Sequence, residues 1–253
     1  MPDHSSETQL APRRDRSEHR RERRNDWRLG GSTVRPWREK LLAIALLSLG
    51  AGVVLGDLAR QFAPTLTLLP QVLLWLGMLA PVIVAFVWSR PVGLLRFRAI
   101  DLLWGLGLGL TVRAVQGWVA GADAAFPALT RVDGQLPAGW WFTDALAPAV
   151  IAPLIEEFFF HGVLLVAAYS MLRRALGGFT AGLTALLVTT AVFVVLHAAL
   201  APGAVSTVVA LAVLGLTAGA AVLLTGRIWT AVLIHVVYNV SGVGLLLGGT
   251  FLA

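Results

Sequence analysis

The stretch "TDALAPAVIAPLIEEFFFHGVLLVAAYS", residues 143–170, decides the fold. As a helix it is longer than the roughly 20 apolar residues needed to cross a bilayer, yet its middle holds Glu156, Glu157 and His161. The chain around it has the same character: of 253 residues, 57% are hydrophobic and 13% charged, with a mean hydropathy of +0.77. That is about half the charged share of an ordinary soluble domain. The composition excludes a water-soluble globule and predicts an all-α, polytopic transmembrane bundle.

Apolar stretches of similar length fall at 41–59, 66–88, 100–120, 179–200, 204–225 and 228–250. With residues 143–170 they predict about seven spans, and six or eight would also fit the boundaries. Trp37, Trp88, Trp104, Trp118, Trp140, Trp141 and Trp229 sit near the ends of these stretches, where an indole prefers the headgroup level. If seven spans alternate, Arg90, Arg96, Arg98, Arg173, Arg174 and Arg227 share one side with the basic N-terminal tail. Basic short loops mark the cytoplasmic face, so the N-terminus is expected inside and the C-terminus outside. Gly215 and Gly219 have the spacing that lets two membrane helices approach closely. With no internal repeat and no soluble domain, function is to be sought in a cavity within the membrane.

Residues 1–40 hold eleven of the 20 basic and seven of the 14 acidic residues, including the run "RRDRSEHRRERR" from Arg13 to Arg24. Such a segment cannot bury enough apolar surface to offset the entropy of ordering it, and it is expected to be a disordered cytoplasmic tail. It lacks the interleaved aromatics of a nucleic-acid module, so a lipid-facing anchor is expected and no nucleic-acid partner. The chain divides into this tail, N-terminal helices at 41–139 and a catalytic core at 140–250. No signal peptide is expected, since the first apolar stretch begins at Leu41 after a long polar segment. There is no cysteine, hence no disulfide or thiolate chemistry. Composition and size fit an integral protein of a bacterial plasma membrane.

After Asp144 the only acidic residues are Glu156 and Glu157, and after His19 the only histidines are His161, His197 and His235. All five lie in expected spans. A charged side chain near the centre of a membrane helix costs roughly 2.5–3.5 kcal/mol, a cost usually tolerated for function. Glu157 and His161 are four apart and share a helix face, with Glu156 turned about 100° away. Adjacent carboxylates in a low dielectric resist ionising together, and a carboxylate so poised can serve as general base. "FVVLH" sets Phe193 four before His197, and "HVVYN" sets His235 four before Asn239. The competing structural reading is interhelical hydrogen bonding, but that role usually falls to scattered Ser, Thr and Asn. Pro148 and Pro153, just before the carboxylates, free backbone carbonyls there.

"APLIEEFFFHG", "FVVLH" and "HVVYN" resemble the E-E-x-x-x-R, F-x-x-x-H and H-x-x-x-N/D motifs of CPBP intramembrane proteases, a family that includes CAAX prenyl endopeptidases and bacteriocin-processing or immunity-type (Abi-like) proteins. The resemblance covers roughly residues 140–245. It implies that Glu156 activates a water with support from Glu157, that His197 shares the water, and that His235 and Asn239 stabilise the oxyanion. Phe193 looks like packing that positions His197. The same likeness implies a membrane-embedded or membrane-associated peptide substrate. Glu156, His197 and His235 are of the types that hold zinc with an open position for water, and a metal-free Glu–His mechanism uses the same residues; both stay open. The chain departs from the family at His161, where arginine is usual. Arg113, within the third span, is a candidate for the missing cation through a pair with Glu157 or another intramembrane group.

Two rival functions follow. A non-catalytic membrane binding or immunity-type protein could keep the fold, and the departure at His161 favours it. A proton-coupled transporter also uses intramembrane Glu and His, but the missing repeat argues against one. Depth sets one condition on a shared site. At about 1.5 Å per residue, Glu156 and His197 lie roughly 25 Å from the helix ends marked by Arg173 and Phe179, whereas His235 lies only about 12 Å from Arg227. The carboxylates and His235 can meet only if the helices flanking Arg173 protrude from the membrane or tilt strongly.

Overall fold

A computed structural model describes residues 24–121, 126–131, 133–201 and 203–252. Six long helices dominate it: α1 (Glu39–Phe62), α2 (Leu69–Trp88), α3 (Ile100–Ala120), α4 (Trp141–Leu200), α5 (Val205–Thr225) and α6 (Ile228–Phe251). Five of them, all but α3, are long and apolar enough to cross a membrane. This differs from the seven stretches read along the sequence at two places. Helix α4 runs for 60 residues as one element, broken inside at Gly177, whose φ of +75° and ψ of 170° are non-helical. Helix α3 carries Asp101, Arg113 and Gln116 among its apolar residues, which lowers its hydropathy.

The helices approach through glycine. Along α1 and α2, a Cβ at Gly52 would stand 3.1 Å from the Leu73 carbonyl oxygen, and one at Gly77 would stand 2.7 Å from that of Ser48. Gly105 and Gly109 of α3 face Leu233, Ile234 and Val237 of α6 in the same way. Gly215 of α5 lies against Thr190 and Phe193, and Gly219 against Leu186 and His161. In lipid, apolar burial gives little preference for helix over solvent, so close backbone packing of this kind carries much of the association.

Residues 1–23 lie outside the described residues, but the rest of the stretch assigned by composition to the tail is packed. Trp27 is 1% exposed and donates from Nε1 to the Gly226 carbonyl at 3.1 Å; its ring meets Tyr169 edge-on at 5.3 Å. Trp37 is fully buried and donates to the Ala85 carbonyl at 3.0 Å, so it does not sit in an aromatic belt. Each indole satisfies a carbonyl at the end of another helix, and this holds a run of charged residues in place. Trp88, Trp104, Trp118 and Trp141 are exposed near helix ends, as belt residues would be. Asp101, fully buried at the start of α3, accepts from Arg227 Nη2 at 2.5 Å and Thr230 Oγ1 at 2.7 Å and thereby fixes α3 to the α5–α6 turn.

Candidate active site

The carboxylates sit where α4 changes its winding. Trp141–Ile151 is π-helical, Ala152–Glu157 is α-helical, and Phe158–Leu164 is π-helical again. Wide turns of this kind are frequent at functional sites. In the first π stretch the amide of Ala152 donates to the carbonyl of Ala147. The same pattern would pair the Pro148 carbonyl with the nitrogen of Pro153, which has no hydrogen. The side chain of Asn239 supplies the donor instead, with Nδ2 at 2.7 Å from the Pro148 oxygen. The two prolines thus create a free carbonyl that α6 uses to dock on α4.

Helix α6 also brings His235 to the carboxylates. Glu157 is 1% exposed and accepts two bonds: its Oε2 lies 2.6 Å from His161 Nδ1 and its Oε1 lies 2.8 Å from His235 Nδ1. An ionised carboxylate can only accept, so both histidines carry a hydrogen on Nδ1. His161, fully buried, supplies one of the donors that an arginine at this position would supply. Its Nε2 is buried without a hydrogen-bond partner among the described residues and faces Gly219, where a Cβ would stand 3.2 Å away. As an unprotonated nitrogen it leaves a lone pair unmatched rather than a charge.

Glu156 faces the other way round the helix. Its Oε2 stands 3.6 Å from His197 Nε2 and 3.9 Å from His235 Nε2. His197 is held by its other nitrogen, Nδ1, which donates to the Phe193 carbonyl at 2.8 Å. The Phe193 ring lies 4.3 Å from the His197 ring and 5.9 Å from that of His235, and Phe160 packs edge-on against it at 5.2 Å. Phe193 therefore walls both imidazoles. Glu156 and His235 are buried, while His197 keeps 28% of its side chain exposed and forms the open side of the site.

Five of the six residues singled out by the motifs, Glu156, Glu157, His161, His197 and His235, meet here, while Asn239, one turn beyond His235 on α6, is bonded to Pro148 farther back along α4. The helix ends are not level with one another in the packed body. Tyr169 donates to the Arg28 carbonyl at 2.9 Å and meets edge-on the ring of Trp27, which is bonded to Gly226. Tyr169, rather than Arg173, is therefore level with the α5–α6 turn. Residues 170–180 run on beyond it as a largely exposed hairpin turned at Gly177, with Phe179 86% exposed.

Arg113 does not join the carboxylates. It donates from Nη2 to the Tyr238 carbonyl at 2.7 Å, from Nε to Ser241 Oγ at 3.2 Å and from Nη1 to Gln116, with its guanidinium 4.1 Å over the Tyr238 ring. The pair with Glu157 is not needed, because His161 and His235 already occupy both carboxylate oxygens. Gln116 escapes a motif reading, although it is a second polar residue one turn after an arginine in an apolar helix; Gly219 stood in the sequence as half of a close-approach spacing and Tyr238 inside the "HVVYN" stretch, but neither showed its partner, His161 or Arg113.

A zinc ion would need Glu156, His197 and His235 gathered about one point. Glu156 Oε2 stands 3.6 Å and 3.9 Å from the two Nε2 atoms, a few tenths of an ångström wider than the spacing of ligands bound tetrahedrally at zinc distances of about 2.0–2.1 Å, and among the described residues no group of three or more ligating side chains is gathered more tightly. Residues 138–241 match the family model described as Type II CAAX prenyl endopeptidase Rce1-like. The match spans the three motifs and agrees with the family they indicate. No curated protein and no solved structure matches the chain significantly.

Proposed function

We propose that the protein is an intramembrane endopeptidase that hydrolyses a peptide bond of a membrane-associated substrate, with Glu156 as the base. The observation that carries this reading is the spacing around Glu156 Oε2, 3.6 Å and 3.9 Å from two imidazole nitrogens. These gaps are too long for direct hydrogen bonds and suit one water held between the groups.

Glu156 takes a proton from that water, aided by His197, as the oxygen attacks the carbonyl carbon. The proton then passes to the leaving nitrogen as the carbon–nitrogen bond breaks. The oxyanion needs donors aimed at it. Asn239 spends one amide hydrogen on Pro148 and has a second to give. His235 donates from Nε2 only when its ring is protonated, because Nδ1–H is committed to Glu157, and the Glu157 carboxylate balances that charge. His161 holds Glu157 from the far side, which answers the one feature that favoured a non-catalytic relative.

The chain then crosses the membrane seven times: α4 turns back at Gly177 and supplies two crossings, and α3 supplies another. The hairpin at 170–180 and the tail lie in the cytoplasm and α6 ends outside, as the arginine distribution supports. Zinc would take Glu156, His197 and His235 only after they draw together.

The test is purified protein in proteoliposomes with internally quenched peptides, one set ending in a farnesylated CAAX sequence and one set apolar and unprenylated. Cleavage by the wild type that Glu156→Gln and His197→Ala abolish, and that a chelator leaves intact, is the expected result. Equal cleavage by the variants, or none by the wild type, overturns the hydrolase reading. Loss on chelation overturns the metal-free route alone.

A further inference from the structure

An arginine within an apolar membrane helix is costly, and Arg113 has no acidic partner among the described residues. Packing α3 on α6 does not by itself require a charge, since the Gly105–Gly109 seam already brings the two backbones together. The guanidinium lies at the end of that seam. It rests over Gly242, where any Cβ would strike Nη2, and it spans Tyr238 and Ser241 with two donors and a ring contact. Gln116 orients it by accepting from Nη1, and accepts also from Tyr238 Oη at 3.0 Å.

The carbonyl that Arg113 grips belongs to Tyr238, so its bond is to the peptide unit that leads directly into Asn239. From the opposite side the Asn239 side chain is bonded to Pro148 of α4. The same turn of α6 is thus clamped by α3 through its backbone and by α4 through its side chain. We propose that Arg113 is a positioning residue that holds the Tyr238–Asn239 peptide so that the free amide hydrogen of Asn239 points at the developing oxyanion. The proposal rests on the hydrolase reading above and adds a residue from outside the three motifs to its machinery.

A double-mutant cycle tests it, using the internally quenched farnesylated peptide in mixed micelles as probe, or the apolar peptide if that is the one the wild type cleaves. Removing one oxyanion donor typically costs about 100- to 1,000-fold, which sets the expectation for Asn239→Ala. Arg113→Gln should lower kcat by about 30-fold and leave KM within about 2-fold, the pattern of an interaction made in the transition state. In the Asn239→Ala background the same change should cost no more than about 3-fold, since residues that act through one another are not additive. Arg113→Lys, which keeps a charged donor but loses the fork, should recover to within about 5-fold of wild type.

Gln116→Met removes only the group that orients the guanidinium. It keeps the experiment informative if Arg113→Gln melts early in detergent, and its loss of about 3-fold should likewise vanish in the Asn239→Ala background. Multiplying losses in the double variants, a change confined to KM, or wild-type rates in Arg113→Gln would overturn the proposal. If the wild type cleaves and Glu156→Gln does not, those outcomes leave the hydrolase reading standing; if the wild type cleaves neither peptide, it is that reading which has failed.

Discussion

The α1–α2 hairpin and the α4–α6 bundle solve the same problem with different chemistry. Both must hold helices together where lipid is as apolar as the side chains. Between α1 and α2 the solution is backbone contact at Gly52, Gly56 and Gly77, with buried Leu49, Leu74 and Met78 around it. Between α4 and α6 it is a carboxylate taking two imidazoles, a carbonyl freed by proline, and an amide that binds it. Interhelical polar contacts in membranes are worth about 0.6 kcal/mol each on average, whereas an ionisable group near a helix centre costs roughly 2.5–3.5 kcal/mol. The second region's polarity is therefore excess to holding the fold, and the excess is what marks it as the candidate site.

The sharpest way to break this contrast is to show that the polar region is merely structural. Glu156→Gln keeps the shape and a hydrogen-bonding head but removes the proposed base. Peptide cleavage should fall by at least about 1,000-fold, roughly 4 kcal/mol of transition-state stabilisation, while the thermal midpoint in detergent stays within a few degrees. A large drop in the midpoint with little loss of rate would make Glu156 glue and erase the distinction.

His161 tests the contrast at closer range, since it touches no substrate. His161→Leu leaves Glu157 Oε2 buried without its 2.6 Å donor, and an orphaned buried acceptor costs about 1–3 kcal/mol, more when charged. Cleavage should drop by about 10- to 100-fold, because Glu157 keeps its bond to His235 but, with its other oxygen unpaired, can turn or take up a proton and so position His235 less firmly. His161→Arg should restore a donor to Glu157, provided that the fork clears Leu186 beside Gly219. If His161→Leu and wild type cleave at equal rates, Glu157 is fixed by His235 alone.

These residues show how far the sequence could be read. The site was legible because ionisable groups inside apolar helices are rare enough to count, and spacings of four put Glu157 with His161 and His235 with Asn239 on shared faces. The Pro148–Pro153 pair was legible as freed carbonyls, but not as the docking point for Asn239, because that depends on α4 winding as a π-helix. Depth was not legible: hydropathy marks where apolar residues stop, whereas α4 leaves the packed body at Tyr169 and continues in its own hairpin. Arg113 was legible as an anomaly, but its partner was not. A guanidinium can take carbonyls as readily as a carboxylate, and Glu157 was already saturated. The packing of Trp27 and Trp37 was hidden by the charged residues around them.

On the apolar side of the comparison, Gly77→Leu should do the reverse of Glu156→Gln. Its Cβ would meet the Ser48 carbonyl oxygen at 2.7 Å and the Gly52 Cα at 3.0 Å, both backbone, so the helices must part. Overpacking of this kind costs about 1–3 kcal/mol, and the thermal midpoint should fall while the rate per folded molecule is kept. A loss of rate at an unchanged midpoint would mean that the hairpin shapes the site directly.

The smallest expected effect lies outside both regions, in the segment that joins them at the Arg173 end. Asp26 caps the turn at Trp27–Leu29, accepting from the Arg28 amide at 2.9 Å and from its guanidinium at 2.8 Å. Arg28 in turn donates to the carbonyls of Leu223 and Leu224 at the end of α5. Burial pushes the Asp26 carboxyl upward, but the bond and charge of Arg28 outweigh it and hold the group below its ordinary value. A carboxyl depressed by folding stabilises fully above its unfolded pKa of about 3.9 and loses that contribution as the pH falls through the folded value. The pair is partly exposed, so the contribution is at most about 1 kcal/mol. Protection of residues 24–37 in hydrogen exchange, corrected for intrinsic rates, should weaken as the pH is lowered from 5 towards 3. Asp26→Asn should lower protection at pH 5 and remove most of that pH dependence, because the amide keeps the cap but cannot titrate. An Asp26→Asn variant with the full wild-type profile would assign the anchoring of this segment to Trp27 and Trp37 alone.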